Sequence, residues 1–131
     1  MTAATLHVVA AVVERDGSFL VTRRQAGVHL AGLWEFPGGK VAAGESHASA
    51  LRREMQEELG VDVDVRALVS TALHAYDDRR VTLYFYACEL LGTPQPILGQ
   101  EMRWVARTDL RSLGFPPADE ELIELLTGGA S

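Results

Sequence analysis

The segment between Ser46 and Gly60 constrains the fold more than any other part of the chain. Ser46 is a suitable N-cap, and Gly60 is suited to end a helix in the left-handed conformation. Between them, apolar residues recur at helical spacing and would form one stripe: Ala48, Leu51, Met55 and Leu59. The segment therefore predicts an amphipathic helix over residues 46–59 that packs on a core through this stripe.

Three glutamates share one side of this predicted helix. Glu54, Glu57 and Glu58 fall within an arc of about 100°, beside the apolar stripe. Like charges at this spacing destabilise a helix by a few tenths of a kcal/mol per pair, and the helix dipole disfavours acids near a C-terminus. A cluster of hard oxygen ligands suits Mg²⁺ or Mn²⁺, with substrate phosphates in the remaining positions. The alternative interpretation is a solvated acidic face.

Segments typical of strands precede and follow this helix. A run rich in Val and Ala predicts a buried strand over residues 5–13, and Asp16-Gly17 predicts a hairpin to a returning strand over residues 18–24. Further strands are predicted over residues 61–76, 80–91 and 103–106, with a turn over 76–79. This order of elements predicts an α/β domain with a mixed sheet.

The rest of the chain completes one domain. Residues 27–44 form a glycine-rich stretch, and Thr108 is a candidate cap for a brief helical turn. Residues 117–127 predict a final helix whose core-facing residues are Leu122, Ile123, Leu125 and Leu126. A length of 131 residues predicts a single domain over residues 1–131.

The charge balance excludes some partners. The chain has 18 acidic and 12 basic residues, a net charge of −6. Such a chain is poorly suited to bind nucleic acid or an anionic membrane through bulk charge. The first residues, Met1 to Thr5, lack a basic leader region, and no apolar run approaches the roughly 20 residues of a membrane span. We therefore expect a cytoplasmic protein.

Cys88 is the only cysteine in the sequence. One cysteine excludes an internal disulfide and a cysteine-rich zinc site. Its strand-like surroundings predict a buried structural thiol.

The glycine-rich stretch and the helix together form a longer motif. Gly39, Glu45, Arg53-Glu54-Met55, Glu57-Glu58 and Gly60-Val61 match the Nudix box, Gly-x5-Glu-x7-Arg-Glu-U-x-Glu-Glu-x-Gly-U with U aliphatic, over residues 39–61. On this motif the chain is identified as a member of the Nudix hydrolase family. It also resembles the MutT-type nucleoside triphosphate pyrophosphohydrolases in three further stretches, which are residues 21–24, 33–40 and 115–118.

The resemblance implies a fold and a metal centre. Nudix domains are α/β/α sandwiches with a mixed sheet, in which the box forms a loop–helix–loop. By similarity, the three glutamates of the box bind Mg²⁺, or Mn²⁺ in its place, together with the backbone carbonyl of Gly38 or Gly39. Arg53 and Glu45 are implied to brace the cluster by an ion pair.

The general base is less clearly assigned by the resemblance. MutT-type enzymes often carry a further glutamate about six residues before the tryptophan that corresponds to Trp104, and Leu98 occupies this position here. Glu101 is the nearest acid and a candidate for the role, or else a surface acid at the start of a strand. Glu57 or Glu58 is the alternative base.

Base recognition depends on Asp119. In the MutT pattern an Asn follows Phe-Pro-Pro-Ala and reads an oxidised guanine, whereas this sequence has Asp119. An ionised Asp offers only acceptors, which suits the amino group of cytosine, and a protonated Asp could still read an oxidised purine. The alternative role of Asp119 is to cap the last helix.

Other substrate-binding candidates follow from the same resemblance. Arg24 and Arg79 match arginines of the MutT pattern and could contact the nucleotide or form surface ion pairs. Phe36, or Trp34, is a candidate to stack on the base, and core packing is the alternative. Lys40 and His29 lie in the glycine-rich stretch and complete the set of candidates.

The implied activity is Mg²⁺-dependent hydrolysis of nucleoside or deoxynucleoside triphosphates to a monophosphate and pyrophosphate, which would remove oxidised nucleotides such as 8-oxo-dGTP. A CTP or dCTP (or 5-substituted cytidine) pyrophosphohydrolase is the first alternative. An ADP-ribose or nucleotide-sugar hydrolase is a less favoured alternative, and the short chain argues against the ADP-ribose enzymes. A non-enzymatic nucleotide sensor is disfavoured because every glutamate of the box is present. Size and acidity predict a monomer.

Overall fold

The structure, a computed structural model, describes residues 5–27, 31–76 and 79–128. Its strands are β1 (Thr5–Val12), β2 (Glu14–Arg15), β3 (Ser18–Arg23), β4 (Trp34–Glu35), β5 (Gly38–Lys40), β6 (Val63–Tyr76), β7 (Arg79–Leu90) and β8 (Met102–Ala106). Its helices are α1 (His47–Leu59) and α2 (Glu120–Leu126), with 3-10 turns at Arg107–Ser112 and Pro117–Asp119.

Four strands form a mixed sheet in the order β5-β1-β7-β6. Strand β1 runs parallel to β7, whereas β5 pairs with β1 and β6 with β7 in the antiparallel sense. A second, antiparallel sheet is built on β3, which pairs with β2, β4 and β8. The predicted mixed sheet is confirmed.

Strand β1 divides the core into two clusters because successive side chains point to opposite faces of a sheet. Val9 and Ala11 pack with Leu51 and Met55 of α1, whereas Ala10 and Val12 lie in a second cluster that includes Leu122 of α2. The two helices therefore cover opposite faces, which confirms the predicted α/β/α sandwich.

The termini of α1 follow the sequence prediction. The hydroxyl of Ser46 accepts a hydrogen bond from the backbone N–H of Ser49 at 3.1 Å, as an N-cap does. Gly60 adopts a left-handed φ of 59° and its N–H donates to the carbonyl of Gln56. Along the helix, the buried stripe includes Ala50, whereas the predicted Ala48 is only half-buried.

Two predictions about the C-terminal helices are wrong. Thr108 lies inside the turn at Arg107–Ser112, and Ala106 precedes it without a capping side chain. Leu125 is 55% exposed, because the buried face of α2 is formed by Leu122, Ile123 and Leu126 and Leu125 lies outside that face. The predicted final helix also begins with a 3-10 turn, at Pro117–Asp119, before the α-helix that starts at Glu120.

The glycine-rich stretch contains the short strands β4 and β5, which sequence patterning did not reveal. Cys88 is buried as predicted, and burial raises the pKa of its thiol to about 12. Of the described helices, none has the length and apolar character needed to cross a membrane. The predicted turn at residues 76–79 lies partly outside the described residues.

Candidate functional site

The glycines of β5 allow this strand to approach both its neighbouring strand and helix α1. A Cβ atom on Gly38 would collide with the backbone carbonyl of Val9, and one on Gly39 would collide with the carboxylate of Glu54. Glycine is therefore required at Gly38, where the clash is with backbone, whereas a side chain at position 39 would displace the Glu54 carboxylate. This close approach brings the backbone of β5 to the acidic side of α1.

Arg53 ties the loop before α1 to the helix itself. Its Nε and Nη2 atoms donate to the two carboxylate oxygens of Glu45 at 2.9 and 3.0 Å, and Nη2 also donates to the carbonyl of Lys40 at 3.0 Å. Hydrogen bonds from Arg53 and from the N–H of Ala42 lower the pKa of Glu45 to about 2. The hydrogen bonds to Glu45 in turn raise the pKa of Arg53. The pair therefore carries two fixed opposite charges.

Of the three glutamates predicted as metal ligands, Glu54 and Glu58 contact β5, and Glu57 lies beside Glu54. Glu58 accepts a hydrogen bond from the N–H of Gly38 at 3.2 Å. Burial, followed by the charges of Glu35 and Glu54, raises the pKa of Glu58 to about 8. Burial also raises the pKa of Glu54. The charge of Arg53 lowers this pKa, and the charge of Glu57 raises it. Glu54 and Glu58 therefore retain protons more strongly than free glutamates do.

The donor chemistry of this cluster fits a hard divalent cation. Within residues 5–27, 31–76 and 79–128, no three carboxylate, imidazole or thiol side chains already converge in a metal-binding arrangement. Glu57 instead approaches Arg53 at 3.3 Å, and Glu58 approaches Gly38. The oxygens are nevertheless the type that Mg²⁺ and Mn²⁺ prefer, and a cation would offset the burial and the mutual repulsion that raise the pKa values of Glu54 and Glu58.

A cavity of about 640 Å³ lies on the α2 face of the mixed sheet and reaches β5. Strands β1 and β7 supply an apolar floor, with Leu6 and Val8 beside Val81 and Leu83. The polar side chains that line the cavity are Arg24, Glu35, Lys40, Arg79 and Asp119. Its volume is in the range of small-molecule sites.

Two acids and one arginine stand in one part of this cavity. Asp119 is 4% exposed, and burial together with the charge of Glu35 raises its pKa to about 7. Arg24 donates to Glu35 at 2.8 Å, while burial raises the pKa of Glu35. The carboxyl of Asp119 therefore exists in both protonation states near neutral pH.

The aromatic candidates have different surroundings. Phe36 lines the cavity, stacks on Phe115 with ring centroids 5.5 Å apart and meets Phe85 edge-on. Trp34 is buried and packs against the guanidinium groups of Arg103 and Arg23. Of the two candidates, Phe36 therefore lies in the cavity wall, as Phe85 does, and Trp34 does not, while both candidates pack in the core.

Comparison with known sequences identifies the family. A profile described as "NUDIX domain" matches residues 8–125, which is most of the chain. The chain belongs to the Nudix family. This confirms the identification made from the box and, with it, the prediction of a hydrolase.

Relatives of this Nudix chain include two curated proteins of Escherichia coli (strain K12). It is 34% identical to the 8-oxo-dGTP diphosphatase, covering 92% of this chain and 95% of that protein. It is 38% identical to the CTP pyrophosphohydrolase, covering 91% and 89% respectively. Among solved structures, the solution structure of the Escherichia coli ORF135 protein has a TM-score of 0.86 and 35% identity, covering 96% of this chain and 91% of that one.

The remaining predicted residues of the Nudix chain fall in three places. Arg79 and Lys40 line the cavity with Arg24. Glu101 lies on the surface, where it forms a 2.9 Å ion pair with Arg23, and Leu98 is 53% exposed. His29 lies outside the described residues. The structure thus places the box next to the cavity, whereas Glu101 is paired with Arg23 on the surface.

Sequence analysis missed two residues of this Nudix site. Glu35 enters the cavity and contacts Arg24, a pairing that depends on the register in which Thr22 lies opposite Glu35. Residues 34–36 carried no sequence pattern that marked Glu35, because Phe36 beside it lines the same cavity. Gln100 is nearly buried, and no local pattern marked it.

Proposed function

We propose that this Nudix chain is a MutT-type pyrophosphohydrolase that cleaves a nucleoside or deoxynucleoside triphosphate into the monophosphate and pyrophosphate. The observation that carries the proposal is that strand β5 both lines the cavity and contacts the glutamates of the box. Gly38, Gly39 and Lys40 line the cavity, and the same strand contacts Glu54 and Glu58 of the box. A nucleotide whose base fills the cavity would thus extend its phosphates toward the acidic cluster.

The glutamates of the box are proposed to hold Mg²⁺, with Mn²⁺ as a substitute. Glu54, Glu57 and Glu58 would supply carboxylate oxygens, and the carbonyl of Gly38 or Gly39 would add a backbone oxygen. A bound divalent cation neutralises charge on phosphate oxygens and lowers the pKa of bound water. Arg53 and Glu45 keep the loop and the helix in one arrangement around these ligands.

Cationic side chains at the cavity are proposed to bind the phosphates and the sugar. Lys40 lies on β5 beside the box, and Arg24 and Arg79 line the cavity. Since the chain carries a net charge of −6, these local cations and the metal would offset the repulsion of an anionic substrate. The general base is proposed to be Glu57 or Glu58, because both belong to the box, whereas Glu101 lies on the surface in an ion pair with Arg23.

Asp119 and Phe36 are proposed to recognise the base. Phe36 presents an aromatic surface, and Asp119 can both donate and accept when its pKa is about 7. An oxidised purine nucleotide such as 8-oxo-dGTP is the first candidate substrate, supported by the 34% identity to the 8-oxo-dGTP diphosphatase. A cytidine triphosphate is the second, supported by the 38% identity to the CTP pyrophosphohydrolase and by the acceptors of an ionised Asp119.

A substrate panel tests this proposal. The purified chain would be incubated in Mg²⁺ with 8-oxo-dGTP, dGTP, CTP, dCTP, a 5-substituted dCTP and ADP-ribose. We expect a nucleoside monophosphate and pyrophosphate in equal amounts from at least one triphosphate. Release of inorganic phosphate alone, or preferred cleavage of ADP-ribose, would contradict it.

The remaining expectations concern the protein as a whole. We propose that it acts as one domain and as a monomer in the cytoplasm, without binding nucleic acid. Light scattering coupled to size-exclusion chromatography tests the monomer, for which a mass near 14.2 kDa is expected. A mass twice as large would overturn it.

A further inference from the structure

The C-terminal end of helix α1 is closed largely by a distant segment of the chain. The final carbonyls of a helix have no partner within the helix. The carbonyl of Gln56 accepts the N–H of Gly60 locally, but the carbonyl of Leu59 accepts the N–H of Gln95 at 2.9 Å. The segment over residues 95–100 is therefore the tertiary cap of the helix that carries the box glutamates.

Gln100 makes the second connection of this cap with its side chain. Its amide nitrogen donates to the backbone carbonyl of Glu58 at 3.0 Å, and its amide oxygen accepts from the N–H of Leu98 at 3.0 Å. The residue is 9% exposed. The amide oxygen and the amide nitrogen of this nearly buried side chain each bind a backbone group, so removing either atom leaves that backbone group without its partner.

Glu58 is consequently held at two points. Gln100 binds its backbone carbonyl, and the N–H of Gly38 binds its carboxylate at 3.2 Å. The last turn of α1 also combines acidic side chains with the negative end of the helix dipole, and a donated N–H at this carbonyl offsets part of that charge. The orientation of the Glu58 carboxylate toward β5 thus depends on a residue more than forty positions away.

We propose that Gln100 is a positioning residue for the divalent-cation site, acting through the backbone of Glu58. The inference rests on the proposed function in one respect, since it takes Glu58 as a metal ligand. Gln25 donates to the carbonyl of Leu98 at 3.1 Å, so the segment that bears Gln100 is itself anchored to the loop after β3. The anchored amide therefore acts as a fixed support for the last turn of the helix.

The test compares Gln100→Met with Gln95→Met. Gln95 has the same side chain, lies in the same segment and caps α1 through its backbone N–H, so its exposed side chain serves as the matched control. Binding of Mn²⁺ alone, without nucleotide, is measured by calorimetry, and the stability of each variant by urea unfolding. We expect Gln100→Met to weaken Mn²⁺ binding about tenfold, as loss of support for a metal ligand does, and Gln95→Met to change it less than about twofold.

A second readout separates positioning from general destabilisation. In Gln100→Met, the Mg²⁺ concentration for half-maximal pyrophosphate release should rise about tenfold, while the nucleotide KM at saturating Mg²⁺ stays within about twofold. If Gln100→Met does not fold, Gln100→Asn takes its place in the test. Its side chain retains an amide but is too short to bind both backbone groups, so it should also weaken Mn²⁺ binding.

Unchanged Mn²⁺ affinity in a folded Gln100 variant, with or without lower stability, would overturn the inference. Absence of Mn²⁺ binding by the unmodified chain would overturn it as well. If the unmodified chain binds Mn²⁺ but cleaves no nucleoside triphosphate, the proposed function fails, whereas the affinity comparison still decides the role of Gln100.

Discussion

Arg53 binds Glu45 through two hydrogen bonds, of 2.9 Å from Nε and 3.0 Å from Nη2. The two residues are eight positions apart and join the loop after β5 to the middle of α1. The two-point geometry requires the planar guanidinium group, because a lysine ammonium can make only a single-point contact. This pair therefore holds the loop and the helix of the box together.

Replacing Arg53 with lysine should lower kcat/KM while leaving the protein folded. The charge remains, but the bidentate contact with Glu45 and the bond to the carbonyl of Lys40 cannot both form. We expect a loss of about 10- to 100-fold in kcat/KM, in line with the effect of disturbing residues that orient metal ligands. Arg52→Lys, at the exposed neighbouring position, is the control and should lose less than about twofold. Equal activities of the two variants would contradict the role given to Arg53.

Asp119→Asn should change the ranking of substrates. An amide offers a fixed donor and acceptor, whereas the Asp119 carboxyl changes between the two roles near neutral pH. We therefore expect the ratio of kcat/KM for 8-oxo-dGTP over CTP to rise at least about tenfold, which corresponds to about 1.4 kcal/mol. Competition assays with both nucleotides measure this ratio. An unchanged ranking would exclude Asp119 from base recognition.

The same variant should alter the pH dependence of stability. The folded-state pKa of Asp119, about 7, lies above its ordinary value of 3.8, so the folded protein binds the proton more tightly than the unfolded chain. The free energy of unfolding, relative to that of Asp119→Asn, should thus fall as the pH rises from about 4 to about 7 and then level off, with a slope of at most about 1.4 kcal/mol per pH unit. Glu35 and Arg24 face Asp119 in both proteins, so their effects largely cancel in the comparison. Urea unfolding at about pH 5 and about pH 8 measures this change. If the free energies of unfolding of the two proteins differ by the same amount at both pH values, Asp119 ionises normally.

Glu101→Gln should reduce kcat less than about tenfold. The Glu101 carboxylate is exposed and paired with Arg23, and its removal would leave the glutamates of the box in place. Loss of a general base typically costs about 10²- to 10⁴-fold in rate. A reduction of about 100-fold or more, measured by steady-state kinetics in Mg²⁺, would identify Glu101 as the base in place of Glu57 or Glu58.

Much of the fold was predictable because its signals are local. The Ser46 cap, the left-handed Gly60 and the helical spacing of Leu51, Met55 and Leu59 lie within one segment and define α1. The Asp16-Gly17 turn likewise defines a hairpin, although it joins β2 to β3 and the preceding strand β1 pairs in the other sheet. Such patterns depend on the period of each element and require no knowledge of tertiary contacts.

The parts that could not be predicted from the sequence depend on contacts between distant segments. Glu35 enters the cavity because β4 pairs with β3, and two-residue strands have too few positions to show an alternating pattern. Gln100 caps a helix from which it is separated by two long strands. Leu125 was misassigned because a seven-residue helix, preceded by a 3-10 turn, leaves the rotational phase of its apolar face undetermined.

Pyrophosphate release by Glu57→Gln tests the central claim most directly. The variant keeps the size and polarity of the side chain but removes a charged ligand from the proposed metal site, and Glu124→Gln on the exposed side of α2 provides a matched control. In saturating Mg²⁺ with the best substrate of the panel, we predict that Glu57→Gln lowers kcat by about 10³-fold or more, with a Tm near that of the unmodified chain and a normal rate for the control. Near-normal pyrophosphate release by Glu57→Gln would contradict the metal-dependent mechanism assigned to the box.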